Sequence, residues 1–329
     1  MAEMEQLVAQ FPKQLVEAIE IAKKSNLSLE ETQYSNVVIC GMGGSGIGGK
    51  LVSQWFAAES KVPFVLVQDY SIPAFVNGKT LFIASSYSGN TEETIAAVKA
   101  ASKKGAKIVA VSSGGELSKF CVEHAYYSII VPGGNPPRAM LAYSVVQLVA
   151  ILSAAKIIGS SAIETIDSCR KFLLQELIQI KAKAKELAEF AHNKQLILYS
   201  NADQEAIAIR ARQQFNENSK QLSWHHVIPE MNHNELVGWG GGNSSHAVVF
   251  FNSQFNSKRN SLRFKITKEV VDAKSSSLNI DGLGSNAIEE SFYFIHLVDW
   301  ASLYLAELNQ KDPIDIKVID HLKGELSKL

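Results

Sequence analysis

The chain has 329 residues, 46% of them hydrophobic, with 32 lysines and arginines against 33 aspartates and glutamates. Its length exceeds the ~100–200 residues of an ordinary domain, so two domains of comparable size are expected, each with a real apolar core. The even charge balance leaves no basic surplus to hold nucleic acid or an anionic membrane, which points to a small-molecule ligand with no nucleic-acid and no membrane partner.

Residues 1–33 read as a helical leader, with Leu7, Phe11, Leu15, Ile19 and Ile21 near helical spacing. This start is acidic and amphipathic and lacks the pattern of a signal peptide, so a cytoplasmic protein is expected. Cys40, Cys121 and Cys169 agree, being too few and too scattered for a disulfide framework or a metal knuckle. From 34 to 153 the pattern changes. NVVIC, PFVLV, TLFIASS, AKIVAVSS and YYSIIV are short β-branched runs, four of them separated by helix-like stretches, which predicts a doubly wound domain with a parallel sheet. The uncharged run AMLAYSVVQLVAILSAA falls short of a comfortable membrane span and reads as a helix buried on all sides. A charged connecting helix is expected over 154–190. A second domain over 191–308 begins with the strands QLILYS and HAVVFFN, and a tail helix occupies 309–329. LILYSNADQEAIAIRARQQF has the layout of VVICGMGGSGIGGKLVSQWF, strand, turn and helix, so the second domain is an internal repeat that has lost its glycines.

The stretch NVVICGMGGSGIGGKLV fits three phosphate-loop patterns. Gly41, Gly43 and Gly46 match a dinucleotide fingerprint, with Asp69 placed to hold ribose hydroxyls. Gly44 to Lys50 nearly matches a P-loop, but Leu51 stands where a magnesium-binding hydroxyl is required. The third reading is a monophosphate cup, favoured by SSYSGNTEET after the third strand, where Ser85, Ser86, Ser88, Asn90, Thr91 and Thr94 crowd one turn. Asn90 and Glu93 have the spacing of a helix cap. A cap needs only one side chain, however, and the remaining hydroxyls with two helix N-termini can enclose a phosphate dianion.

Together GMGGSGIGG, SYSGNTEET, PPRAMLAYS, FNENSK, MNHNE and VIDHLKGEL resemble the bifunctional phosphoglucose/phosphomannose isomerases of the sugar-isomerase (SIS) superfamily. The resemblance implies two SIS-type αβα subdomains and an aldose–ketose isomerase that interconverts glucose 6-phosphate and mannose 6-phosphate with fructose 6-phosphate through a cis-enediol. It implies no metal and no cofactor, and a homodimer with its active site at the subunit interface. The hexose 6-phosphate would be held by Gly44, Ser45, Ser86, Ser88 and Thr91. Arg138, in the first turn of the helix introduced by Pro136 and Pro137, would steady the enediolate. The resemblance makes Glu217 the base that moves a proton between C2 and C1. His233, flanked by Asn232 and Asn234, would help open the sugar ring, contributed by the neighbouring subunit. Lys323, on an amphipathic helix with Val318, Ile319 and Leu322, would assist it, so that helix is expected to be docked.

The competing readings are a metal site from His225, His226, His233 and Glu235, a nicotinamide-dependent dehydrogenase, and a non-catalytic sugar-phosphate-binding regulator. His124, His192, His246, His296 and His321 read as structural. The sequence departs from the family pattern D-P-T-P at KDPID, where Ile314 replaces a Thr near the sugar's C2.

Overall fold

The computed structural model describes residues 2–29 and 33–328; Met1 and residues 30–32 of the expected leader lie outside them. Contacts divide the chain into an N-terminal unit, Ala9–Gln175 with Gly284–Phe292, and a C-terminal unit, Met1–Val8, Glu176–Leu283 and Tyr293–Leu329. The sequence predicts a separate leader and one connecting helix. Instead the leader is two helices, α1 (Ala2–Ala9) and α2 (Phe11–Lys24), and α2 belongs to the N-terminal unit.

The sheet of the N-terminal unit follows from the β-branched runs: β1 (Asn36–Cys40), β2 (Phe64–Val67), β3 (Thr80–Ser85), β4 (Lys107–Ser112) and β5 (Tyr127–Ile130), all parallel in the order β2-β1-β3-β4-β5. Between them run α3 (Gly43–Trp55), α4 (Glu92–Lys103) and α5 (Gly115–Glu123), followed by α6 (Leu141–Ala154) and α7 (Ala162–Gln175). The uncharged run is α6, buried along most of its length, with its Gln147 donating to the Ala18 carbonyl of α2 at 2.7 Å. Phe11, Leu15, Ala18 and Ile19 give α2 the apolar stripe that packs on α6 and α7. Among the described residues no helix is long and apolar enough to cross a membrane.

In an open parallel sheet, ligands bind where the winding direction reverses, at the carboxyl ends of the strands. Here that point lies between β1 and β3. Cys40 pairs with Ala84, so Gly41 and Ser85 emerge side by side. A Cβ at Gly41 would stand 2.7 Å from the Ser85 carbonyl, which is why the backbone there must be glycine.

The C-terminal unit repeats the plan with four parallel strands, β6 (Gln195–Asn201), β7 (Ser223–Ile228), β8 (His246–Asn252) and β9 (Ser276–Asp281), in the order β7-β6-β8-β9. Its helices are α8 (Leu177–Ala191), α9 (Glu205–Ser219), α10 (Glu235–Gly238), α11 (Lys258–Asp272), α12 (Ala287–Leu308, whose residues up to Phe292 belong to the N-terminal unit) and α13 (Lys317–Leu326). The flanking of β6 by β7 and β8 mirrors that of β1 by β2 and β3, as the internal repeat requires. β7 and β9 were not visible in the sequence. They are edge strands whose residues, SWHHVI and SSLNID, lack a continuous apolar run.

Candidate active site

Two βα loops of the N-terminal unit form a polar cup. Ser45 sits in the first turn of α3, and its Oγ accepts the Tyr87 amide at 3.0 Å, which leaves its hydroxyl proton to donate elsewhere. Ser86 Oγ and Thr91 Oγ1 are hydrogen-bonded at 2.8 Å, and Ser88 Oγ accepts the Asn90 amide at 3.2 Å. The amide ends of α3 and α4 add partial positive charge where the loops converge. Thr94 is fully buried and takes no part. The expected Asn90 cap is corrected: Thr91 is the N-cap residue of α4 and makes no side-chain cap bond, while Asn90 Oδ1 accepts the Glu116 amide of α5 at 3.0 Å. Ser113 N and Leu117 N donate to the carbonyls of Tyr87 and Gly89 at 2.8 and 2.9 Å. The serine loop is therefore stitched to the next loop of the sheet and held in shape before any ligand arrives.

Lys50 lies in the third turn of α3, beyond the amide end where a P-loop lysine would act, and Leu51 beside it is buried. Asp69 Oδ1 accepts its neighbour's amide, Tyr70 N, at 2.7 Å. The P-loop reading therefore lacks its lysine at the amide end, and one Asp69 oxygen is engaged within its own turn.

Arg138 stands in a 3₁₀ turn, Pro137–Ala139, ahead of α6 and not in the first turn of that helix. The two prolines set this turn, because neither can donate an amide to an earlier helix. Arg138 is 3% exposed, so it is no surface cation. A Cβ on Gly44 would lie 3.2 Å from the Pro137 carbonyl and 3.4 Å from Arg138 N. Glycine at that position lets the turn close onto the cup, so Gly44, Ser45 and the Arg138 backbone share one corner of the unit. Sequence reasoning missed Tyr87. Its ring lines a narrow cavity there with Gly44, Ser45, Pro137 and Ser144, and burial raises its phenol pKa.

In the C-terminal unit, Glu217 is half-buried in the last turn of α9. Lys220 ends the helix in a left-handed conformation, φ 50°, and its Nζ donates to the carbonyls of Glu217 at 2.6 Å and Asp312 at 2.7 Å. The tail carrying half-buried Ile314 is thus tied to the Glu217 turn.

His233 ends a 3₁₀ turn, Glu230–His233, beyond β7, and is exposed. Asn232 and Asn234 do not serve it. Asn232 Nδ2 donates to Thr267 Oγ1 at 2.8 Å and its Oδ1 accepts from Arg263 at 3.3 Å, whereas Asn234 Oδ1 caps α10 at the Glu235 amide. α9 runs back to the start of β7, where Asn216 Oδ1 accepts the Ser223 amide at 3.0 Å, and His233 follows the far end of that strand. Six residues of β7, at ~3.3 Å each, put about 20 Å between the two ends. Glu217 and His233 of one chain therefore lie at opposite ends of the four-stranded sheet.

Lys323 is exposed on α13, a helix that buries none of its residues; Val318 is 84% and Leu322 58% exposed. The docked C-terminus expected from the sequence is not what this chain shows by itself.

Three of the four residues of the metal reading are engaged with one another or with neighbours, and His233 is exposed apart from them in the turn beyond β7. His226 Nδ1 lies 2.6 Å from Glu235 Oε2, Tyr199 donates to the other Glu235 oxygen, and His225 faces Glu205 at 3.8 Å. Among the described residues no group of three or more His, Cys, Asp or Glu side chains is arranged to hold a metal ion. The three cysteines are free and buried, and burial pushes the Cys40 and Cys169 thiols up to about 12, which removes them as nucleophiles at neutral pH.

A doubly wound αβα repeat with a hydroxyl-lined cup at its first switch point defines a sugar-isomerase domain protein. Models of two families match in tandem: the SIS domain over residues 32–157 and the bacterial phospho-glucose isomerase C-terminal SIS domain over 180–326. The bifunctional phosphoglucose/phosphomannose isomerase of Caldicellulosiruptor bescii is 36% identical over 98% of both chains, and that of Aquifex aeolicus 34% identical over 92% of this chain and 94% of its own. Tagatose-6-phosphate ketose/aldose isomerase from Escherichia coli shares the fold at TM-score 0.70 over 92% of both chains, with 15% identity. The chain belongs to the bifunctional phosphoglucose/phosphomannose isomerase family.

Proposed function

We propose that this chain is an aldose–ketose isomerase that interconverts glucose 6-phosphate and mannose 6-phosphate with fructose 6-phosphate through a cis-enediol. The observation that carries the reading is the preassembled cup. Ser45, Ser86, Ser88 and Thr91 offer hydroxyls beside the amide ends of two helices, which suits a phosphate that serves as a handle and does not react. Binding energy spent on such a handle can be used to orient the reacting carbons.

Glu217 takes the proton from C2 and returns it to C1; a carboxylate on one face of the sugar does both without a metal or cofactor. Buried Arg138 steadies the negative charge of the enediolate. His233 and Lys323 move protons at the ring oxygen and O1 to open the ring. The separation of Glu217 and His233 along β7 supports a homodimer in which His233 serves the partner's site. A regulatory sugar-phosphate binder would keep the cup and have no use for Glu217 and His233.

The test is a coupled assay of the purified protein with each hexose 6-phosphate, with and without a chelator. Formation of fructose 6-phosphate at a rate the chelator does not change is expected. Saturable binding of glucose 6-phosphate without turnover would replace the isomerase by the regulator.

A further inference from the structure

α9 carries two buried stripes. Ile207, Ala211 and Phe215 recur every four residues in a helix that packs on β6 and β7, as a sheet-covering helix should. Arg210, Gln214 and Asn218 recur every four residues on another face, equally buried and entirely polar. All three bond α12. Arg210 Nη2 donates to both Asp299 oxygens at 2.8 and 3.0 Å, and Nε adds a bond to Oδ1 at 3.2 Å. Gln214 Nε2 donates to Asp299 Oδ1 at 2.7 Å, and Asn218 Nδ2 to Ser302 Oγ at 2.9 Å. Ser219 Oγ closes the ladder on the Ser302 carbonyl at 2.6 Å.

A buried ion pair of this kind is a poor way to gain stability, since apolar residues of the same volume commonly hold a fold as well or better. Its distinctive property is direction. Aliphatic contacts between helices tolerate a slide or a rotation, whereas a bidentate guanidinium on one carboxylate admits a single register. Glu217 follows Gln214 by three residues and Arg210 by seven, so it shares the face the ladder fixes.

We propose that the Arg210–Asp299 pair and the Gln214 and Asn218 bonds beyond it are positioning residues, which set the register of α9 on α12 and thereby aim the Glu217 carboxylate at C2. The assignment rests on Glu217 being the base. A misplacement of about 1 Å at a reacting group can cost ~10²-fold in rate, so the device has a large lever.

The test is the double variant Arg210→Met/Asp299→Leu in the full-length protein. It is expected to stay folded, melting within several degrees of the wild type because the buried Gln214 amide loses its Asp299 acceptor, and to bind a phosphorylated sugar-acid inhibitor within about two-fold of wild type, while kcat falls ~10-fold or more. The isotope effect on kcat with glucose 6-phosphate deuterated at C2 should rise, because proton transfer becomes more rate-limiting. A merely structural role would not move that isotope effect. Should the double variant not fold, Asn218→Ala with Ser302→Ala removes the rung nearest Glu217 and is read in the same way. Wild-type kcat and isotope effect in a stable variant would overturn the proposal, provided Glu217→Gln is inactive in parallel. Full activity of Glu217→Gln would instead remove the base assignment itself.

Discussion

Lys220 holds the carbonyl of Asp312 at 2.7 Å from a position only three residues past Glu217. The segment KDPID is thereby fixed against the turn that carries the proposed base, and Ile314 with it.

This contact bears on substrate range. Glucose and mannose 6-phosphates differ only in the configuration at C2, the carbon from which Glu217 would remove the proton. Ile314 adds bulk and takes away a hydroxyl where the family pattern has Thr, a difference worth ~1–3 kcal/mol between epimers. Both substrates should turn over, glucose 6-phosphate with the higher kcat/KM, and Ile314→Thr should raise the relative rate on the mannose epimer. An unchanged ratio in the variant would show that Ile314 does not face C2.

Removing Ser45 and Thr91 hydroxyls together should act on binding. Each hydrogen bond to a charged phosphate is worth ~1.5–3 kcal/mol, so Ser45→Ala/Thr91→Ala is expected to weaken a phosphorylated inhibitor by ~10²-fold or more. kcat at saturation should fall much less, because the phosphate is remote from the reacting carbons. Unaltered inhibitor affinity in an isothermal titration would place the phosphate elsewhere.

How much of this was legible beforehand depends on what each residue's signal was. β1, β3 and β4 announce themselves because a central parallel strand is buried on both faces and reads as an unbroken β-branched run, and the edge strands β2 and β5 stay legible because FVLV and YSII are still mostly apolar. β7 and β9 escaped notice for the converse reason: edge strands can afford His225, His226 and Asn279. The cup was readable as a crowd of hydroxyls, but the use of each was not. Asn90 looked like the cap of its own helix and binds the next one, a tertiary choice that spacing cannot encode. Arg138 read as part of the first turn of a helix, since nothing local reveals that Gly44 lets a separate 3₁₀ turn close. Asn232 looked placed to orient His233, yet it pairs with Thr267, which is distant in sequence.

The opposite placement of Glu217 and His233 on the four-stranded sheet leads to a subunit-mixing experiment. Glu217→Gln and His233→Ala proteins, each inactive alone, should regain activity when mixed and allowed to exchange subunits, since each heterodimer holds one intact and one doubly damaged site. Recovery toward about a quarter of the wild-type rate is expected from an equal mixture, since random exchange makes half the dimers mixed and each of those has one working site of two. Exchange demonstrated by native mass spectrometry without recovery would mean that each chain completes its own site.

His296 supplies a pH signature for stability. It is fully buried on α12, where Trp300 Nε1 donates to its Nε2 at 3.2 Å, and burial lowers its pKa to about 3. The ordinary histidine value is about 6.5. Between these limits the unfolded chain binds a proton that the folded chain refuses, so stability falls as pH drops through that window and is unaffected by this group above it. The slope is ~1.4 kcal/mol per pH unit. His296→Gln keeps an acceptor for Trp300 and should flatten the denaturation free energy between pH 6.5 and 5. Parallel profiles for the two proteins would show that the imidazole is solvated or charged in the fold.

The central claim is that Glu217 carries the proton, and steady-state turnover of glucose 6-phosphate by Glu217→Gln tests it most directly. The substitution keeps the side chain's shape and removes its basicity. The predicted result is a loss of at least ~10² in kcat while a phosphorylated inhibitor binds as it does to the wild type. Undiminished kcat in Glu217→Gln would contradict the account.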